Sequence, residues 1–428
     1  MTTSASTSES TGSLVVTAAR LRNGAVVDVA CAGGVVTAVV PVGELPRPAG
    51  VPVVDAGGGL VTEPFVDAHL HLDKVRTLPW VGDAALQAYT GDGMADSARG
   101  IDLARAVKEQ YSVERLLPAV RQALADGERH GVLHVQAFAD VDTAAGLVGV
   151  QAVLAAREEF RGRVDVSVVA FPQDGLLRDP GAGDLVEEAL ALGADVVGGI
   201  PWLEETTADQ EAHVEWACAL AARLGRRVAM LTDDAPDPAS DTTRMLAEAL
   251  RRHGLQGRGV ACHARALGHY DAQRQTAVLE LAREVGLGLV SDPHTGSVAL
   301  PVERAVALGV DVALGQDDIE DAYYPFGRHS LLEVAFLAAH LLDMRTAPQQ
   351  EVLVDLVTTS AARVLGLPGY GLRVGGPADL LVHDAARTVD LLAHHAAPRV
   401  VVRDGVVLGQ PPVVSTPATA SSAPGTRA

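Results

Sequence analysis

The sequence predicts an α/β chain, a (β/α)8 TIM barrel carrying a small β-sandwich assembled from its N- and C-terminal segments. Three observations lead there. Between Val61 and Leu367, apolar strand-like runs alternate with helix-period segments, and eight such strands can be counted. Short Val-rich strand patterns stand at both ends of the chain. The run Pro64-Phe65-Val66-Asp67-Ala68-His69-Leu70-His71-Leu72-Asp73 sets two histidines at the end of the first of the eight strands. Eight βα units favour a closed barrel over an open sheet, and barrel enzymes carry their chemistry at the C-terminal ends of the strands.

In chain order, Leu14-Val15-Val16, Ala25–Val29 and Val35–Val40 read as a meander broken by turn residues. The barrel strands are the one ending at His71, then Val132–Val135, Val164–Ala170, Asp195–Ile200, Arg227–Leu231, Gly259–His263, Leu287–Ser291 and Val310–Leu314. Helix-period segments separate them, including Val113–His130, Asp209–Leu224, Thr242–His253 and Asp271–Val285. Ala378–Val382 and Val400–Val407 return to strand pattern, the latter turning at Asp404-Gly405. The expected organisation is a disordered tail over residues 1–12, a composite sandwich from 13–60 and 370–410, a barrel over 61–369, and a disordered tail over 411–428.

Composition narrows the function classes. In 428 residues there are 54 acidic and 34 basic side chains, a net charge of −20, so the surface repels phosphate backbones and nucleic acid is not expected as a partner. Aromatic residues make up only 4% of the chain, which leaves few platforms for stacking bases. Cys31, Cys218 and Cys262 are too few and scattered for a disulfide framework, and fit a reducing compartment. Met1–Ser13 lacks the basic and apolar regions of a signal peptide, and no apolar run approaches the ~20 residues of a membrane span. A cytoplasmic protein with no nucleic-acid and no membrane partner is expected, and a homo-oligomeric state stays open.

His69 and His71 are two apart on a strand, so both imidazoles project to one face, here the barrel mouth. With Ala170-Phe171-Pro172-Gln173-Asp174-Gly175, Leu192-Gly193-Ala194-Asp195-Val196-Val197-Gly198-Gly199-Ile200-Pro201, Gly315-Gln316-Asp317-Asp318-Ile319-Glu320-Asp321 and Tyr324-Pro325-Phe326-Gly327, the histidine run resembles the amidohydrolase superfamily, in its cytosine deaminase branch. The likeness covers most of the chain. It implies one divalent metal, zinc or iron, held by His69, His71 and Asp317, and a metal-activated water that attacks a C–N bond of a cyclic amidine, amide or aminoheterocycle. It also implies that His263 hydrogen-bonds the water or the tetrahedral centre, and that Gln173 reads an amide-like substrate edge. Lys74, Trp202, Asp318, Tyr323 and Tyr324 are further candidates for the mouth.

The fifth strand departs from the pattern. Leu231 falls where the family carries its third metal histidine, and Asp234 where it carries a catalytic glutamate. Three consequences follow as alternatives. A metal binds His69, His71 and Asp317, with water or Asp233 at the vacancy, while Asp234 and His263 move protons. Two histidines and one carboxylate instead form a non-haem iron site with open positions. Or the metal is lost, leaving a barrel for non-hydrolytic acid–base chemistry or ligand binding. H-E-x-x-H, G-x-S-x-G and P-loop motifs are absent, as is the H-x-E with P-C-x-x-C pattern of nucleoside deaminases.

Overall fold

Runs of Val, Ala and Leu with no polar alternation become parallel strands buried on both faces, as a sheet covered by helices outside and side chains inside requires. A computed structural model describes residues 12–46, 50–81, 87, 104–105, 107–234 and 237–409. The two terminal tails lie outside these residues, except for Gly12, whose N–H donates to the Asp404 carbonyl at 3.0 Å.

The eight barrel strands are β6 (Phe65–His71), β7 (Val132–Asp140), β8 (Asp165–Phe171), β9 (Val196–Gly199), β10 (Arg227–Thr232), β11 (Gly259–His263), β12 (Gly288–Ser291) and β13 (Val312–Leu314). Each pairs in parallel with the next. The ring closes just beyond β13, where His71 N–H donates to the Asp317 carbonyl and Asp317 N–H to the His69 carbonyl, both at 2.8 Å. Gly315 permits that seam, because a Cβ there would lie 2.8 Å from His69 Cβ. Val66, Phe138, Val169, Phe171, Ala229 and Val260 fill the interior, while a second layer of apolar side chains joins strands to outer helices. The helices expected from periodicity form over Val113–Arg129, Thr207–Leu224, Thr242–Arg252 and Ala272–Val285. Asp271 caps the last of these by accepting from the Gln273 and Arg274 N–H groups.

The expected second strand ends at Val135, but β7 continues to Asp140. Its polar end conceals the continuation, and unbroken pairing with β8 as far as Asp140 and Phe171 carries it.

Two further four-stranded sheets come from the chain ends. One holds β1 (Leu14–Arg20), β2 (Val26–Ala32), β3 (Val35–Pro41) and β4 (Val53–Asp55); the other holds β5 (Val61–Thr62), β14 (Leu380–Val382), β15 (Val400–Arg403) and β16 (Val406–Val407). Leu14, Val16 and Val29 pack with Leu380, Val382 and Val402 in one core, so neither terminal segment has a buried face without the other. Asp404 and Gly405 both take positive φ, 51° and 75°, the turn that matches hairpin twist. No helix among the described residues is long and apolar enough to cross a membrane.

His383 lies where sandwich meets barrel, its Nε2 3.0 Å from Thr62 Oγ1 and its ring against Phe65. Burial pushes its pKa down to about 3 from an ordinary 6.5. Below pH 6.5 the unfolded chain therefore takes up a proton that the folded imidazole refuses. Its contribution is intact above pH 6.5 and is lost as pH falls toward 3, at ~1.4 kcal/mol per unit. His383→Gln is expected to shrink the stability loss between pH 7 and pH 5 by about 2 kcal/mol, read from urea unfolding at both pH values. Parallel losses in the two proteins contradict this.

Candidate active site

The strand ends at the C-terminal mouth bring together residues from β6, β10, β11, the turn after β12 and the seam after β13. A β-bulge in β6 between Asp67 and Leu70 sets His69 against its neighbours. Asp67 ties the seam by accepting from His69 N at 3.2 Å and Gln316 N at 3.0 Å, and its other oxygen lies 3.1 Å from His329 Nε2. His263 and Asp317 both have positive φ, 68° and 65°. Non-glycine residues rarely adopt this, and such strain concentrates at functional positions.

His69 Nε2 lies 3.0 Å, His71 Nε2 3.8 Å and His263 Nε2 4.0 Å from Asp317 Oδ1. All four side chains are buried. Although close, His69 Nε2 is not aligned to hydrogen-bond any acceptor among the described residues. Thr295 Oγ1 donates to Asp317 Oδ2 at 2.7 Å, which leaves Oδ1 facing the imidazoles. Imidazole nitrogens and a carboxylate oxygen are the donor set of a small divalent cation; His69 and His263 cluster with Asp317 and Asp292, His71 clusters with Asp317 and Asp318, and Asp317 is common to both. His69, His71 and Asp317 therefore fit a metal, with His263 Nε2 turned to the same point.

Burial opposes ionisation of Asp317, but the facing imidazoles of His263, His69 and His71 outweigh it electrostatically and hold the carboxyl well below the usual range. Burial, supported by Asp292, holds Asp234 above its ordinary range against the pull of His263 and Arg265. His263 Nδ1 sits 2.9 Å from Asp292 Oδ2 and 3.6 Å from Asp234 Oδ1. Arg265 links the two acids, its Nε 2.7 Å from Asp234 and its Nη2 2.9 Å from Asp292.

A tight cavity of about 20 Å³, room for about one water, is lined by His71, Gln173, Trp202, Leu231, Asp234, His263, Asp317, Asp318 and Tyr323 among others. A ring-sized guest requires these side chains to part. Lys74 stands behind this lining, buried, with Nζ 2.8 Å from Gln173 Oε1 and 2.9 Å from Asp140 Oδ1. Tyr324 lies outside the lining, packed on His294 and Phe326. Leu231 is a buried apolar wall beside Cys262. Asp233 does not stand in for it: its oxygens accept from Ser240 Oγ, Thr242 N and Oγ1, and Thr243 N, fastening the start of the next helix.

Arg265, Asp292, Thr295, Asp140 and Lys108 are site residues that the sequence reading missed. Asp292 directly follows the seventh strand and Arg265 follows His263 by two, positions at which a strand-end rule would have found them. Lys108 joins Asp140 at 3.0 Å and Asp174 at 3.2 Å, and with Arg105 neutralises the Asp142, Asp174 and Asp179 group. A cavity of about 460 Å³ opens at the other end of the barrel, where His134 and Asp165 are engaged with each other and with Arg403. Its position at the N-terminal strand ends argues against chemistry there.

Comparison with known proteins agrees with this architecture. An amidohydrolase family model matches residues 91–409. N-isopropylammelide isopropyl amidohydrolase of Pseudomonas sp. is 27% identical over 379 residues, 84% of this chain and 89% of that protein. Pterin deaminase of Rhizobium rhizogenes is 27% identical over 399 residues, 89% of this chain and 87% of that protein. The structure of 5-methylcytosine deaminase from Klebsiella pneumoniae liganded with 5-fluorocytosine superposes with a TM-score of 0.83 at 29% identity, over 93% of this chain and 97% of the other. With the family model spanning more than half its length, and with the barrel and its paired histidines in place, the chain belongs to the amidohydrolase family, in the cytosine deaminase-like branch.

Proposed function

We propose that the protein hydrolyses a C–N bond of a small aminoheterocycle, a pyrimidine or triazine amine or a related cyclic amidine or amide, and releases ammonia or an amine. The observation that carries this reading is the convergence of the His69, His71 and His263 Nε2 atoms on Asp317 Oδ1, within 4.0 Å, beside a buried cavity. The relatives named as deaminases of 5-methylcytosine and pterin, and as the isopropyl amidohydrolase of N-isopropylammelide, support the substrate class.

His69, His71 and Asp317 would hold one divalent cation, zinc or iron. When bound, it supplies Lewis acidity that makes water nucleophilic near neutral pH. His263, its Nδ1 held by Asp292, presents Nε2 to hydrogen-bond the attacking water or the tetrahedral centre. Asp234, kept above its ordinary range by burial, exchanges a proton between that water and the leaving nitrogen. Asp318 lines the same cavity and takes part in orienting the substrate, while Trp202 and Tyr323 wall a flat ring.

The test is release of ammonia or amine from a panel of oxo- and amino-substituted pyrimidines and triazines, with metal content measured on the same protein. Asp234→Asn is expected to lower kcat by about 10²- to 10³-fold with little change in KM, since it removes proton transfer and keeps shape. An unchanged kcat excludes Asp234 from the chemistry. The apolar wall at Leu231 favours a second reading, a barrel with a reduced or lost metal site that binds a ligand or performs non-hydrolytic acid–base chemistry. Metal-free protein whose thermal stability does not respond to chelator would favour it.

A further inference from the structure

Three buried acids, Asp234, Asp292 and Asp317, stand around the facing imidazoles, and the Arg265 guanidinium lies within 4.0 Å of all three. β11 ends in two consecutive non-glycine residues of positive φ, His263 at 68° and Ala264 at 45°. Even one such residue is uncommon, so a pair calls for a reason in the structure around it. The bend delivers Arg265 among the acids. Opposite, a Cβ on Gly296 would overlap Nη1 and stand 2.6 Å from Cζ, so the guanidinium rests where only glycine leaves room. Its Nε donates to Asp234 Oδ1 at 2.7 Å, and its Nη2 to Asp292 Oδ1 at 2.9 Å and to Thr295 Oγ1 at 2.8 Å. Because a guanidinium only donates, the Thr295 oxygen receives, and the hydroxyl proton must point elsewhere. Two acceptors lie within reach, Asp317 Oδ2 at 2.7 Å and the Asp292 carbonyl at 3.0 Å, and the nearer, charged one takes it. Asp292 clusters with His69, His263 and Asp317 closely enough to compete for a cation, but Arg265 holds one of its oxygens and His263 Nδ1 lies 2.9 Å from the other.

We propose that Arg265, Thr295 and Gly296 form a positioning brace for the metal centre. The brace occupies Asp317 Oδ2 and ties down Asp292, so that of these two acids only Asp317 Oδ1 is left to a cation, and the same guanidinium pins Asp234 at the cavity. None of the three residues touches metal or substrate; they act through Asp317 and Asp234. With the apolar Leu231 on the fifth strand, the ligand set has no spare donor, and its affinity depends on how firmly Asp317 is held. The brace rests on the metal-holding part of the function proposed above and not on the identity of the substrate.

Dissociation constants for zinc and cobalt(II), measured on the full chain by competition with a chelating dye, read the brace without any reaction. The wild type is expected to bind about one equivalent. Thr295→Val keeps the shape and removes the hydroxyl, and is expected to weaken both metals about 10- to 100-fold, the range for lost partners of metal ligands. Thr295→Ser restores the hydroxyl and is expected to stay within about threefold of wild type. Gly296→Ala leaves every polar group in the chain but displaces the guanidinium, so affinity falls about tenfold and the visible spectrum of the cobalt form changes. Should that variant fail to fold, the Thr295 pair decides. Affinities equal to wild type in Thr295→Val, or a serine variant as weak as the valine one, overturn the brace. A wild type that binds neither metal overturns it together with the metal-dependent reading. If the affinities move as expected while no aminoheterocycle releases ammonia or amine, the hydrolase reading fails and the brace stands; release with unmoved affinities is the reverse.

Discussion

Replacing His69 with alanine is expected to lower kcat/KM by about 10⁴-fold or more and to release the bound metal. The imidazole is fully buried, its Nε2 is 3.0 Å from Asp317 Oδ1, and its ring meets those of His71 and His263 edge to face at 4.9 and 5.0 Å. With no donor at Leu231, the set has nothing to spare, and loss of one more leaves His71 and Asp317 alone. Without a cation, water keeps its pKa of about 15.7 in place of about 7, which removes most of the nucleophile at neutral pH. Metal content and kcat/KM are measured together, and thermal unfolding establishes that the barrel has survived. Retention of about one equivalent of metal with less than a tenfold loss of activity contradicts the assignment.

Arg265→Met is expected to cost about 3–5 kcal/mol of stability, the penalty for leaving buried acids without their cation. The guanidinium contacts Asp234 and Asp292, all three side chains are nearly inaccessible, and Nη2 also donates to Thr295 Oγ1 at 2.8 Å. Since a folded domain is stable by only about 5–15 kcal/mol, the change is large. Arg265→Lys is expected to recover little, because one ammonium cannot span both carboxylates in the planar fork. The double variant Arg265→Met with Asp234→Asn is expected to be more stable than the single one, by relieving one stranded charge. Denaturant midpoints decide it; a single variant within about 0.5 kcal/mol of wild type, the range of an ordinary surface change, refutes the bridge.

The barrel was legible because its rules are local. Parallel strands buried on both faces read as unbroken apolar runs, and the eight observed strands coincide with eight such runs. His69 and His71 were legible for the same reason, since period-two alternation puts residues two apart on one face. The apolar run of the second strand stops at Val135, where polar Gln136 follows, and only pairing with β8 carries β7 on to Asp140. Asp233 and Asp234 are adjacent and chemically identical; the family resemblance assigns proton transfer to Asp234, and the backbone decides where each carboxylate goes. A positive φ of 49° at Asp233 sends that carboxylate to the following helix, while Asp234 is left at the cavity.

By itself, then, the sequence determined the (β/α)8 class, the strand that carries the histidines, the apolar residue at position 231 and the candidates His263, Asp317 and Gln173. Periodicity and spacing along the chain carry the class and the histidine pair, while His263, Asp317, Gln173 and the meaning of position 231 come from the family resemblance. Only the tertiary structure decided which distant side chains meet: that Arg265 bridges Asp234 and Asp292, that Thr295 holds one oxygen of Asp317, and that Lys74 stands between Gln173 and Asp140. Such pairings join strand ends that are far apart in the chain, and closure of the barrel, which brings Leu70 beside Asp317, is what places them within reach of one another.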